Sequence, residues 1–233
     1  MPPETVERIL LAARQEDRRN LLEPEAKEVC RAYGMPTPDF GLGRTPSEAG
    51  DLADKVGFPV VLKVVSQDIL HKTEAGGVLL DLGSRKQVEN GYGQIMAKVR
   101  AYDAKARIAG VLVQHMAPKG VEVIVGGLRD SQFGPTVLFG LGGIFVEVFK
   151  DASFRVAPIS DLDAREMVRE IRSHSILEGT RGQPPADEAA IMQILQATSK
   201  IMMDNSTIQQ MDLNPVIVYA TGASIVDARV ILG

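Results

Sequence analysis

Residues 57–78 read GFPVVLKVVSQDILHKTEAGGV: a short apolar run broken by one lysine, a polar loop with a histidine, and a glycine pair opening a second apolar run. The stretch FPVVLKVV (58–65) is too short for a typical helix, rich in valine and bounded by Gly-Phe-Pro. It therefore reads as a buried strand carrying Lys63. The chain then crosses the loop around His71 and returns as a strand over 77–82. Two strands joined directly, with no helix between them, argue against a regular strand–helix–strand alternation.

The flanks extend this pattern. Val6, Ile9, Leu10 and Ala13 recur at helical spacing, giving a helix within 4–18, and a second helix over 24–33 starts at a proline and stops at Gly34. Thr45-Pro46-Ser47-Glu48 is a capping box for a helix ending near Gly57, and Ser84 with Gln87 caps another. Strands are expected at 110–116 and 121–127, with Pro-Lys-Gly between them as a hairpin signal, and at 136–139 and 153–157. Helices follow at 161–173 and 187–205, and two strands joined at Ala220-Thr-Gly close the chain. The mixture with hairpins favours an α+β fold of two lobes.

Composition narrows the function classes. The 233 residues are 45% hydrophobic and 24% charged with a net charge of −4, ordinary for a globular protein. No basic cluster marks a nucleic-acid surface. The single cysteine, Cys30, excludes an intrachain disulfide and fits a reducing compartment. The start MPPETVERILLAARQEDRRN carries charges every few residues and reads as neither signal peptide nor membrane span, so a cytoplasmic location is expected.

Several residues carry chemistry. An ammonium is costly to bury alone, so Lys63 is either a lysine reaching out from a strand edge or a cation facing phosphates, and its aliphatic neighbours favour the second. A neutral imidazole such as His71 is nucleophilic near pH 7, and the N–H groups of Gly76-Gly77 could receive phosphate oxygens. Lys72 fits phosphate neutralisation and a solvated surface equally. Asp212 and Asn214 are two apart and so share one face of a strand, where Asp227 on the next strand could join them. An oxygen-only set with an amide suits Mg²⁺ rather than zinc. Glu74 and His174 read as surface residues, and Glu147 and Asp151 receive no role.

Five stretches taken in order resemble one family: LLEPEAKEVCRAYGMPTP (21–38), GFPVVLKVVSQDILHKTEAGGV (57–78), GVLVQHMAPKGVEVIVG (110–126), FGLGGIFVEVFKD (139–151) and MDLNPVIV with VDARV (211–218 and 226–230). The family is the ATP-grasp (β) subunit of NDP-forming acyl-CoA synthetases, the archaeal ADP-forming acetyl-CoA synthetase group, related to succinyl-CoA synthetase β. The resemblance implies an ATP-grasp fold with nucleotide in the cleft between two lobes. It divides the chain into a helical extension (1–20), an N-terminal lobe (21–110) and a C-terminal lobe (111–233). It implies reversible conversion of acyl-CoA, ADP and phosphate to acid, CoA and ATP through a phosphohistidine, with ATP/ADP and Mg²⁺ as cofactors. The CoA-binding domains and a first catalytic histidine would sit on an α subunit, in an α2β2 heterotetramer.

By the same resemblance, His71 matches the second phospho-accepting histidine, on the ATP side. Gln114, His115 and Met116 match the linker whose backbone meets adenine, and Glu122 a ribose- or phosphate-side carboxylate. Arg155 falls at a γ-phosphate position near the glycine-rich 139–151 stretch. Asn214 and Asp227 match the metal ligands, with Asp212 as an acidic support near the histidine. Two rival activities are a stand-alone ATP-grasp carboxylate–amine ligase, which needs no phosphohistidine, and a nucleotide-sensing module without turnover. The acyl group is not legible here, because it would bind the partner.

Overall fold

A strand apolar on both faces must be covered on both faces, and Val60–Ser66 (β2) is. In the computed structural model, which describes residues 1–69, 71–143, 150–179 and 184–233, β2 lies inside a four-stranded antiparallel sheet of order β1-β4-β2-β3. Its companions are Phe40–Gly43 (β1), Val78–Leu82 (β3) and Ile108–His115 (β4). Helices Pro46–Val56 (α3) and Arg85–Tyr102 (α4) cover one face. Ala49, Ala53, Val88, Ile95 and Val99 from these helices join Val60, Leu62 and Val64 in one core. Thr45 accepts from the Glu48 N–H and Ser84 from the Gln87 N–H, as the caps require. Glu48 accepts in turn from Arg44 N–H, one residue before the expected partner. This unit comprises Leu22–Pro24 and Pro38–Ala117.

The other unit comprises Met1–Leu21, Glu25–Thr37 and Pro118–Gly233. Its six-stranded antiparallel sheet runs β10-β8-β5-β6-β7, with β9 also on β8. The strands are Val121–Asp130 (β5), Gly134–Leu141 (β6), Ala152–Val156 (β7), Ile208–Val218 (β8), Ala223–Ile225 (β9) and Ala228–Leu232 (β10). The helices are Glu4–Gln15 (α1), Glu23–Ala32 (α2, from Glu25 onward in this unit), Asp161–Glu170 (α5) and Glu188–Asp204 (α6), with a short 3₁₀ turn at His174–Ile176. Alternation along each strand sends Val123, Val125, Val137 and Phe139 into the core with Ile191, Ile194 and Leu195 of α6. The alternate positions form an open face.

Three expectations change. The hairpin between 110–116 and 121–127 does not form: β4 is flanked by β1 and β2, and β5 by β6 and β8, in different sheets. The division at 1–20, 21–110 and 111–233 differs from the compact units, because β4 completes one sheet up to His115 while Val6, Ala13, Ala26, Val29 and Cys30 share the core of the other. The final strand is split at Val226-Asp227 into β9 and β10, both pairing β8. Among the described residues no helix is long and apolar enough to cross a membrane.

Candidate functional site

Burying Lys63 calls for a counterion, and the structure supplies one. Lys63 is 5% exposed, and its Nζ donates to Glu23 Oε1 at 2.7 Å. Lys72, from the loop between β2 and β3, donates to the other oxygen of the same carboxylate, Oε2, at 2.6 Å. One buried glutamate therefore holds two ammonium groups, one from the strand and one from the residue beside His71. The His71 side chain is 70% exposed, with Nδ1 3.9 Å from Glu74 Oε1.

The loop is folded by its own backbone: Ala75 N–H donates to His71 O, Gly76 N–H to Thr73 O and Gly77 N–H to Lys72 O. This corrects the expected role of Gly76 and Gly77, whose N–H groups are used within the turn rather than offered to phosphate. Gly76 has φ +64°, open to glycine at little cost, and a Cβ on Gly77 would collide with Val64 Cγ1. Gly77→Ala is accordingly expected to cost about 1–3 kcal/mol of stability, readable in urea unfolding. A midpoint unchanged from wild type would mean that the strand yields freely there.

At the end of β4, Gln114 is buried, and His115 is half-buried with Nδ1 2.9 Å from Gly57 O. The His115 N–H donates to Asp39 O and the Met116 N–H to Pro59 O. An adenine contact on these two residues would therefore run through carbonyls or side chains, and His115 is anchored by backbone rather than set up as a base.

In the six-stranded sheet, register does what residue spacing suggested. Asp212 pairs with Gly126 of β5 on one side and Arg229 of β10 on the other. Asn214 N–H donates to Asp227 O, putting that pair two residues along from Asp212 and Arg229. Burial pushes the Asp212 carboxyl above the usual carboxylate range, the Arg229 charge opposes this, and the Asp227 charge adds to it. Asp227 is half-buried, less than the apolar flanks IV and ARVIL suggested, because it stands at the junction of β9 and β10. The open face carries a groove of about 780 Å³, apolar along Leu138 and Phe154 and polar at Asp212 and Asn214. Glu122 is exposed at the start of β5, on the strand face shared with Ile124 and Gly126.

Arg155 lines the same groove as Asp212 and Asn214, but its guanidinium is held by carboxylates of its own. It pairs with buried Val137 on the helix-covered side of the sheet, while Phe154 pairs with Leu138 on the open side. Its guanidinium makes a two-pronged contact with Glu170, at 2.8 Å to each oxygen, and Glu166 lies 3.6 Å away. Those α5 carboxylates, Glu170 foremost, hold its pKa above the ordinary value. Asp151 accepts from the Arg172 and Ser173 N–H groups and the Ser173 hydroxyl. His174, expected at the surface, is half-buried with Nε2 2.8 Å from Glu188. Residues 144–149 of the glycine-rich stretch, Glu147 included, lie outside the described residues.

The ATP-grasp domain family matches residues 12–232. The β subunit of acetate–CoA ligase (ADP-forming) I from Pyrococcus furiosus is 45% identical over 216 residues, covering 93% of each chain. The solved acetyl-coenzyme A synthetase 1 of Ca. Korarchaeum cryptofilum, in complex with coenzyme A, Ca-AMPCP and HgCl+, is 47% identical with a TM-score of 0.96, covering 97% of this chain and 99% of that one. The chain belongs to the ATP-grasp family, in the group of ADP-forming acetate–CoA ligase β subunits. Its relatives occur in two forms. The Pyrococcus protein is a separate β subunit, whereas acetate–CoA ligase (ADP-forming) I of Archaeoglobus fulgidus, 48% identical over 209 residues, matches 90% of this chain with only 30% of its own length.

Two residues of this ATP-grasp domain escaped the sequence reading. Arg229 alternates on β10 like any surface arginine, and only register sets it against Asp212. Glu23 opens α2, where an acidic residue is ordinary. The buried Lys63 announced that some anion had to meet it, but nothing in the spacing indicated a residue 40 positions away.

Proposed function

We propose that this chain is the nucleotide-handling half of an ADP-forming acyl-CoA ligase. The overall reaction is acyl-CoA, ADP and phosphate giving acid, CoA and ATP, reversibly, with the phosphoryl group carried on histidine. The observation that carries this reading is the pair of lysines on Glu23 beside an exposed histidine: cations for phosphate oxygens, and a nucleophile open to solvent beside them. Phosphoryl transfer rests mainly on positioning and charge neutralisation, which this set can supply. The Korarchaeum protein binds coenzyme A and Ca-AMPCP, which supports ATP or ADP as the ligand here.

The donor set fits a divalent cation. Asp212 and Asn214 are oxygen donors on one face of β8, Asp227 at the β9–β10 junction is tied to Asn214 through its backbone carbonyl, and burial disfavours the Asp212 charge although Arg229 opposes this. Asn214 and Asp227 would hold Mg²⁺, which neutralises phosphate charge when bound, and Asp212 would support them. Among the described residues no three His, Cys, Asp or Glu side chains form a metal cluster by themselves. That agrees with an ion held by one or two carboxylates plus nucleotide phosphates. Asp227→Asn is expected to weaken Mg-dependent ADP binding on the order of tenfold, measured by calorimetry with and without Mg²⁺. Unchanged Mg-dependent affinity in the folded variant would remove Asp227 from the site.

The partner would be an α subunit carrying the CoA-binding domains and a first catalytic histidine, in an α2β2 assembly. Separate β subunits in Pyrococcus and the single long chain in Archaeoglobus support that division of labour. The reading is tested by incubating the reconstituted complex with γ-labelled ATP. Acid-labile, base-stable label on this chain is expected, and turnover without it would favour a ligase that works through an acyl-phosphate alone.

A further inference from the structure

The residue that organises the phosphate-facing cations is one the proposed chemistry does not itself employ. Glu23 is 6% exposed, and its two oxygens are divided between Lys63 and Lys72 at 2.7 and 2.6 Å. The lysines differ in how they are held. Lys63 is pinned by ladder partners on both sides, Val78 of β3 and Leu112 of β4. Lys72 belongs to the loop that carries His71, whose own side chain packs against little. The shared carboxylate is therefore a strut between a rigid strand and the loop of the histidine.

It is also the charge that lets two ammonium groups stand close together, since like charges in a poorly solvated place repel strongly without an anion between them.

We propose that Glu23 is a positioning residue for phosphoryl transfer: it fixes Lys63 and Lys72 in the arrangement that receives phosphate, and through Lys72 it sets the loop of His71. This rests on the nucleotide-handling reading above. A buried ion pair can also be merely structural, so the test has to separate the two roles.

Glu23→Asp keeps the charge but withdraws it by one methylene, and Glu23→Gln keeps the length but removes the charge. Both are compared with wild type in the complex reconstituted with an α subunit, reading adenosine affinity by calorimetry and kcat for ATP formation from acetyl-CoA, ADP and phosphate. In each variant that folds, kcat is expected to fall fivefold or more while adenosine affinity stays within twofold, because displacement of about 1 Å at a positioned group is enough to cost turnover. Glu23→Asp retains an anion for both lysines and keeps the test alive if Glu23→Gln does not fold. A smaller fall in kcat, or a parallel fall in adenosine affinity, overturns the proposal. A wild-type complex that neither binds ADP nor makes ATP overturns the nucleotide-handling reading instead.

Discussion

His71→Ala, in complex with an α subunit, is expected to abolish ATP formation from acyl-CoA and to leave ADP affinity within about twofold of wild type. The imidazole is exposed and its nearest charged neighbour, Glu74, is itself exposed at 3.9 Å, so no core contact is lost with it. The turn that carries it is closed by backbone bonds from Ala75, Gly76 and Gly77, all of which an alanine at 71 can keep. Stability should therefore move by no more than about 0.5 kcal/mol. What disappears, on the function proposed above, is the nucleophile. A chain that receives phosphoryl groups from a distant active site needs a covalent carrier, and neutral imidazole is the side chain suited to that near pH 7. Binding is spared because the imidazole acts on the transferring group and not on the nucleoside. Parallel assays of ADP binding and ATP formation check this. Full activity in the alanine variant would make His71 a bystander and return the stand-alone ligase to first place.

How much of this was legible depended on the distance over which each feature is determined. FPVVLKVV read correctly as a buried strand because a doubly covered strand shows its burial in its own residues. Caps at Thr45 and Ser84 are equally local. β1 was missed: FGLG holds two glycines, and a Cβ on Gly41 would collide with Leu52 of α3, so the strand is glycine-rich in order to let the helix approach. The Pro-Lys-Gly signal misled for the converse reason, since a turn sequence does not say whether the strands on either side share a sheet.

Among site residues, Asp212 and Asn214 could be placed on one face by counting, and Asp227 near them by pairing the closing strands, whereas Arg229 emerged only from the register of β10 on β8. Arg155 could not: the sheet face it occupies follows from its register with Val137, and the helix carboxylates that hold it come from 11 to 15 residues on. Gly76 and Gly77 looked like phosphate donors because their N–H groups could not be followed from sequence to the carbonyls of Thr73 and Lys72.

Lys63→Met is the sharper test of the strand cation, and the structure changes what it should do. On sequence alone a methionine would sit comfortably in an apolar strand of nearly the same volume. With Glu23 buried against Lys63 at 2.7 Å, the substitution removes one partner of a buried ion pair and leaves the carboxylate behind. Breaking such a pair typically costs about 3–5 kcal/mol, and because Lys72 still holds the other oxygen, the lower end of that range is expected here. Independently, affinity for ADP and ATP should fall on the order of tenfold to a hundredfold, the weight of one charge-assisted hydrogen bond to phosphate, with adenosine affinity little changed. The two effects separate in the double variant Lys63→Met with Glu23→Gln. Neutralising the stranded carboxylate restores most of the lost stability, so the two substitutions are non-additive in unfolding, but it cannot restore a cation to the phosphates. Thermal melts and calorimetry on the single and double variants read both. Equal losses of affinity for adenosine, ADP and ATP, or recovery of ADP binding together with stability, would make Lys63 a structural ion-pair partner and remove it from the phosphate site.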